Sequence, residues 1–271
     1  MKSNFENTSK SKSAAQDMAL IQVKSIFEEG LAFHKKGLLT KAQEMYEQVL
    51  RIQPQYFDAI HLLGVIAAQT GNLKQADELI SRAIAINPNS AAAHNNHGNT
   101  LNEMKQYQSA ISSFDKAIQL QPDYAEAYYN RGNALNGLKQ YQTAVGSFDQ
   151  AILFRPDYAE AYSNLGIAWG NLRQYKAAID SFDKAIRLKP NCADWHKNKS
   201  LCHLRMGEFM LGWEEYEWRR RTGNAASSIR NFAQPLWLGR ESLQGKRILL
   251  HSEQGLGDTI QFCRYASWLA I

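Results

Sequence analysis

The chain has 271 residues, of which 44% are hydrophobic and 21% are charged, and its formal net charge is +5. This composition is typical of a soluble globular or repeat protein that is long enough for one extended array or two domains. The mild charge, which includes no basic stripe, argues against a nucleic-acid partner.

The apolar segments and the cysteines of the sequence indicate the cellular compartment of the protein. No stretch approaches the roughly 18 apolar residues that span a membrane, and no signal-peptide core precedes Met18. Cys192, Cys202 and Cys263 are an odd number at no metal-ligand spacing, which favours a reducing compartment. We therefore expect a cytoplasmic protein with no metal, no cofactor and no membrane partner. The first element in chain order, residues 1–22, is predicted to be a disordered tail.

Residues 23–190 contain an internal repeat, present in five units, in which the same residue types return at steps of 34 in the numbering. Within each unit two helical patterns are separated by turns, as near Gly71, Lys105 and Lys139. Proline ends the second helix because it lacks an N–H and clashes with the preceding turn. One hairpin cannot bury its apolar face alone, so the units are expected to stack. Four residue types mark the period: glycine (Gly30, Gly64, Gly98, Gly132, Gly166), alanine (Ala42, Ala76, Ala110, Ala144, Ala178), a bulky apolar residue (Tyr46, Ile80, Phe114, Phe148, Phe182) and proline (Pro54, Pro88, Pro122, Pro156, Pro190).

This spacing and residue set resembles the tetratricopeptide repeat. The resemblance implies an all-α fold, a right-handed superhelical solenoid of helix hairpins. A sixth, degenerate unit follows at residues 191–221, with Ser200 at the glycine position, Gly212 at the alanine position and Tyr216 at the aromatic position. Such a unit is expected to cap the array or to join it to another domain.

Asparagine recurs on the first helices at positions that the fold does not require. A carboxamide presents both a donor and an acceptor, which suits the backbone of an extended peptide. We expect replacement of Asn96, Asn130, Asn164 and Asn198 by alanine to weaken peptide binding and to change stability little. The alternative is a neutral polar residue on a solvated face, copied together with the repeat. The candidate peptide-binding residues are Asn96, Asn130, Asn164 and Asn198, at steps of 34, with Asn99 and Asn133 three residues further on.

The first helices of tetratricopeptide arrays line the concave surface, so the resemblance places these amides in a groove. Such an asparagine ladder resembles that of the O-linked N-acetylglucosamine transferases, whose repeats guide protein substrates toward a catalytic domain. The resemblance implies a protein or peptide ligand.

The composition changes after residue 221. Residues 222–245 are predicted to be a linker, and residues 246–271 read as a short buried strand, a glycine loop and the start of a helix. The string from Trp213 to Phe262 resembles bacterial repeat proteins whose C-terminal half is similar to heptosyltransferase-type glycosyltransferases. On that resemblance the C-terminal segment is a truncated first βα unit of a Rossmann domain.

The glycine loop carries the residues to which a transferase role would fall. By resemblance Asp258 would be the general base, and Gly255 and Gly257 would allow close approach of substrate. Asp258 followed by Gln261 also fits a capping box, and both interpretations stay open. The nucleotide-sugar site of such enzymes lies mainly in a second domain that this sequence does not contain. We therefore expect no enzymatic activity from this chain as it stands.

Two functions follow from these patterns. The favoured one is a protein–protein interaction scaffold that binds an extended peptide or partner protein in the concave groove. The alternative is part of a repeat-containing glycosyltransferase that recruits protein or glycan acceptors. The apolar C-terminal segment is expected to pack on Trp213, Trp218, Phe232 and Trp237, with self-association through that segment or poor order as the alternatives.

Overall fold

A computed structural model describes residues 20–221, which form twelve α-helices and a final 3-10 helix, and these residues contain no β-strand. The predicted linker and the predicted strand and helix at 246–271 lie outside the described residues. Helix α1 already includes residues 20–22, which the sequence analysis assigned to the tail. Residues 1–19 lie outside the described part of the chain.

The helices alternate along the chain as first and second members of hairpins, as the repeat period predicts. The first helices are α1 (residues 20–35), α3 (Phe57–Gln69), α5 (Ala91–Glu103), α7 (Ala125–Gly137), α9 (Ala159–Asn171) and α11 (Ala193–Arg205). The second helices are α2 (Leu39–Ile52), α4 (Leu73–Ile86), α6 (Tyr107–Leu120), α8 (Tyr141–Phe154), α10 (Tyr175–Leu188) and α12 (Phe209–Tyr216), and the 3-10 helix is Glu217–Arg221. These residues divide into two compact units, each larger than a single repeat. Below, the first unit means residues 20–168 and the second unit means residues 169–221.

In the first unit, each hairpin closes where a glycine of the first helix faces a large side chain of the second. A Cβ atom on Gly98 would lie 2.5 Å from the Phe114 ring, and one on Gly132 would lie 2.5 Å from the Phe148 ring. Both phenylalanines are fully buried. The recurring glycine is therefore the residue that lets the two helices approach over a buried aromatic ring.

The turn inside each hairpin contains one residue in the left-handed region. Gly71 has φ of 80° there, but Lys105 and Lys139 occupy the same position with φ of 62° and 60°. The N–H of Gln106 donates to the carbonyl of Leu101 at 2.8 Å, which closes the end of α5 as in a Schellman motif. The turns predicted from the sequence are confirmed, and at two of the three the left-handed residue is a lysine.

In the second unit the last hairpin keeps the packing of the repeat with different residues. Ser200 is fully buried at the glycine position, and a Cβ atom on Gly212 would lie 2.6 Å from a methyl group of Leu204. Helix α12 leaves Trp213 exposed, whereas Trp218 is stacked in parallel on His196 with ring centroids 3.8 Å apart. Of the aromatic platform predicted for the C-terminal segment, Trp213 is thus accessible and Trp218 is half-covered. Phe232 and Trp237 lie outside the described residues.

Candidate functional site

The first helices of the first unit share one side that their second helices do not cover. Residues spaced at i, i+4, i+7 and i+11 lie on one face of a helix. On α3, α5 and α7, and on the part of α9 in this unit, the set of residues that starts at the second position of the helix and follows this spacing contains no buried residue. We call these residues the open stripe: Asp58, Leu62, Val65 and Gln69; Ala92, Asn96, Asn99 and Glu103; Glu126, Asn130, Asn133 and Gly137; Glu160, Asn164 and Ile167.

Three of the predicted asparagines on this stripe tie successive first helices together. Asn96 Nδ2 lies 3.0 Å from His61 Nε2, and Asn130 Nδ2 donates to Asn95 Oδ1 at 3.1 Å. Both bonds join residues 35 positions apart, because the sixth position of one helix meets the fifth position of the preceding first helix.

Asn164 repeats this arrangement with a further bond. Its Nδ2 donates to the Tyr129 hydroxyl at 3.2 Å, again 35 positions back, and to Asn133 Oδ1 at 2.7 Å. Asn164 therefore reaches two side chains of the preceding first helix, whereas Asn96 and Asn130 each reach one.

These bonds engage part of each amide within the protein. Asn96 and Asn130 each use one N–H and Asn164 uses two. Their Oδ1 atoms accept no hydrogen bond from any other described residue. The stripe therefore offers a row of fixed acceptors, and the bonds give a reason to expect that replacing these amides also affects stability.

The partners of the row were not predicted from the sequence. His61, Asn95 and Tyr129 share one helix position but no residue type, so no recurrence marks them. Asn102 and Asn136 were also missed, although they too are separated by one repeat step and follow Asn99 and Asn133 by three. The Oδ1 atoms of Asn102 and Asn136 are buried and accept no hydrogen bond in the described part of the chain.

The other predicted site residues lie elsewhere. Asn99 is half-buried on the stripe without a hydrogen bond to the side chains described. Asn198 belongs to α11 in the second unit and is half-buried there. Asp258, Gly255 and Gly257 lie outside the described residues, so their transferase role stays a prediction.

Two general tests of the described residues concern metals and membranes. Between residues 20 and 221, no group of three or more His, Cys, Asp or Glu side chains is placed to hold a metal ion. No helix in the same range combines the length and the apolar character that crossing a membrane requires.

His61, the partner of Asn96, is the titratable group at the start of the asparagine row. Burial lowers the pKa of the His61 imidazole, and the nearby Asp58 carboxylate offsets part of that shift. The ring also stacks on Phe57, with centroids 5.6 Å apart. Since the amide nitrogen of Asn96 can only donate, His61 Nε2 accepts and the proton of the neutral ring resides on Nδ1.

We expect acidification to weaken the first unit through His61. A histidine whose pKa is lowered by folding contributes stability above its unfolded pKa and loses it as the pH falls through the folded value. The urea midpoint of the whole chain should therefore fall as the pH drops from about 7 to about 5. The variant His61→Asn has at this helix position the residue type that Asn95 provides in the next repeat. In this variant the urea midpoint should fall less. Equal falls in both proteins would contradict this assignment.

Sequence comparison identifies the repeat. Family models described as TPR repeat and tetratricopeptide repeat match residues 34–96, 98–139, 125–158 and 159–192, which together cover more than half of the chain. No curated protein matches the sequence.

Several solved structures share the fold. PilF of Pseudomonas aeruginosa superposes with a TM-score of 0.67 at 20% identity, over 76% of this chain and 93% of that one. MamA of Desulfovibrio magneticus RS-1 gives 0.58 at 23% identity, over 62% and 97%. YrrB, described as a TPR protein with an unusual peptide-binding site, gives 0.56 at 17% identity, over 65% and 91%. These similarities show the fold alone.

Proposed function

From the premise that this chain belongs to the tetratricopeptide-repeat family, we propose that it is an interaction module that binds an extended peptide segment along its open stripe. The observation that carries this proposal is the row of Asn96, Asn130 and Asn164. In each of them the amide nitrogen is fixed by the preceding first helix and the amide oxygen accepts nothing from the described residues. A row of fixed acceptors suits the N–H groups of a peptide backbone, whatever its side chains.

The spacing expected between packed helices is comparable to the repeat of an extended chain. Packed helices lie about 8–10 Å apart. A polyproline II helix repeats after three residues with a rise of about 3.1 Å per residue, or about 9 Å per turn. One turn of such a peptide therefore crosses one first helix, and every third N–H points to the same side. Each of the three asparagines can then accept from one turn of the ligand.

A protein of the same fold supports a peptide ligand. The solved structure of YrrB is described as having an unusual peptide-binding site, and its fold matches that of this chain. A peptide ligand is thus a chemistry that this repeat fold accommodates.

The test begins with selection of binders from a displayed library of random dodecapeptides on the full chain. Binding of a selected peptide, measured by fluorescence polarisation, should weaken about tenfold or more when Asn96 and Asn164 are both replaced by alanine. Ala92→Trp, which adds bulk to an exposed position of the stripe, should have the same effect without removing a hydrogen bond.

The matched control replaces two exposed amides on second helices, Gln108→Ala with Gln142→Ala, and should leave binding unchanged. Circular dichroism establishes that each variant is folded. Failure to select any binding peptide, or unchanged binding in the Asn96/Asn164 and Ala92→Trp variants, would overturn the proposal.

A further inference from the structure

The ionisable residues of the open stripe all carry the same sign. They are Asp58 on α3, Glu103 on α5, Glu126 on α7 and Glu160 on α9, and the stripe contains no lysine, arginine or histidine. Asp58, Glu103 and Glu126 are exposed, and none of these three forms an ion pair with another described residue. No ion pair between described residues therefore neutralises these three carboxylates.

The basic side chain that these first helices contain, Arg131, is bonded to second helices. Helices α3, α5, α7 and α9 contain one lysine or arginine, Arg131. Its Nε donates to Asp115 of α6 at 2.6 Å, and a terminal guanidinium nitrogen donates to Ser147 of α8 at 2.8 Å. Arg131 is therefore held against second helices and forms its ion pair there.

Open amide oxygens accompany the carboxylates on this side of the first unit. Asn96 and Asn130 each use one amide N–H inside the protein and Asn164 uses two, while the Oδ1 atoms of all three accept no hydrogen bond from the described residues. Next to the stripe, Asn102 and Asn136 each hold a buried Oδ1 atom that accepts no hydrogen bond from described groups. These amide oxygens are open acceptors, and the N–H donors of a ligand would satisfy them.

We propose that the segment bound along the open stripe is basic, with lysine or arginine at about every third residue. This inference rests on the proposed function and adds the chemistry of the partner. Lysine and arginine side chains carry only donors and a positive charge, so they suit both the open amide oxygens and the carboxylates. In a polyproline II segment every third side chain faces the same way, and one such step is about 9 Å, comparable to the spacing of packed helices.

Three synthetic peptides test the inference on the full chain, each about 15 residues long so that it spans about five turns of a polyproline II helix. They share one alanine and serine background and carry lysine, glutamine or glutamate at every third position. We expect the lysine peptide to bind about tenfold or more tightly than the glutamine peptide, and the glutamate peptide to bind most weakly. The advantage of the lysine peptide should shrink as NaCl is raised from about 0.05 M to about 0.5 M, because salt screens exposed charges.

A charge-matched pair of variants locates the effect. D58N/E103Q/E126Q, which neutralises three acids of the stripe, should remove most of the preference for lysine over glutamine. E44Q/E78Q/D123N neutralises three exposed acids outside the stripe and should retain the preference.

The outcomes separate the two proposals. If all three peptides bind equally, or both triple variants behave alike, the inference of a basic ligand is overturned while peptide binding stands. If none of these peptides and no library peptide binds, both are overturned.

Discussion

We expect Phe114→Ala to lower the free energy of unfolding by about 3–5 kcal/mol, the usual cost of deleting a fully buried aromatic side chain. Phe114 is 0% exposed, and its ring lies over Gly98, where a Cβ atom would be only 2.5 Å away. Alanine therefore leaves a cavity between α5 and α6. Urea unfolding followed by circular dichroism measures the total loss. Hydrogen exchange of the α5 and α6 amides should show whether these helices open first, since repeat units depend on their neighbours.

A second substitution tests the same contact from the opposite side. Gly98→Ala should destabilise the native chain, because its methyl group meets the Phe114 ring, but should recover stability in the Phe114→Ala background, where that space is free. Leu153→Ala is the surface control, since Leu153 is 65% exposed, and should change stability by less than about 0.5 kcal/mol. Additive losses from Gly98→Ala and Phe114→Ala would contradict the packing described here.

This contact is also the kind of feature that the sequence does predict. Gly98 and Phe114 each stand at positions that recur once in every repeat unit, and their residue types fit only a close approach of two helices over a large side chain. The turns follow from the same recurrence. The left-handed residue within each turn is less predictable, because Lys105 and Lys139 stand where Gly71 stands in the second unit of the repeat. There the surrounding helices fix the backbone against the preference of the side chain.

The candidate site was only half predictable. Recurrence identified Asn96, Asn130 and Asn164 and placed them on one face. It did not show that their nitrogens are bonded, because the bonds depend on how one first helix packs against the next. The acceptors, such as His61 and Asn95, differ in residue type and leave no periodic signal. Spacing within one helix is local information, whereas the partners across a helix pair are set by packing.

Asn130→Ala tests whether the asparagine row contributes to stability. Asn95 is 1% exposed, and its Oδ1 atom accepts from Asn130 Nδ2 at 3.1 Å. Removing the donor leaves that oxygen buried without a partner, so we expect the free energy of unfolding to fall by about 1–3 kcal/mol. Urea unfolding of the full chain at neutral pH measures the loss.

The matched control lies on the same stripe. Asn99→Ala removes a half-buried amide that has no hydrogen bond to the described side chains, and should cost less than about 0.5 kcal/mol. Replacing Asn95 and Asn130 together should cost less than the sum of the two single changes, since the double variant leaves no unpaired group. If Asn130→Ala and Asn99→Ala have equal effects on unfolding, the amide of Asn130 has no structural role. The whole asparagine row would then be as available to a ligand as the sequence alone suggested.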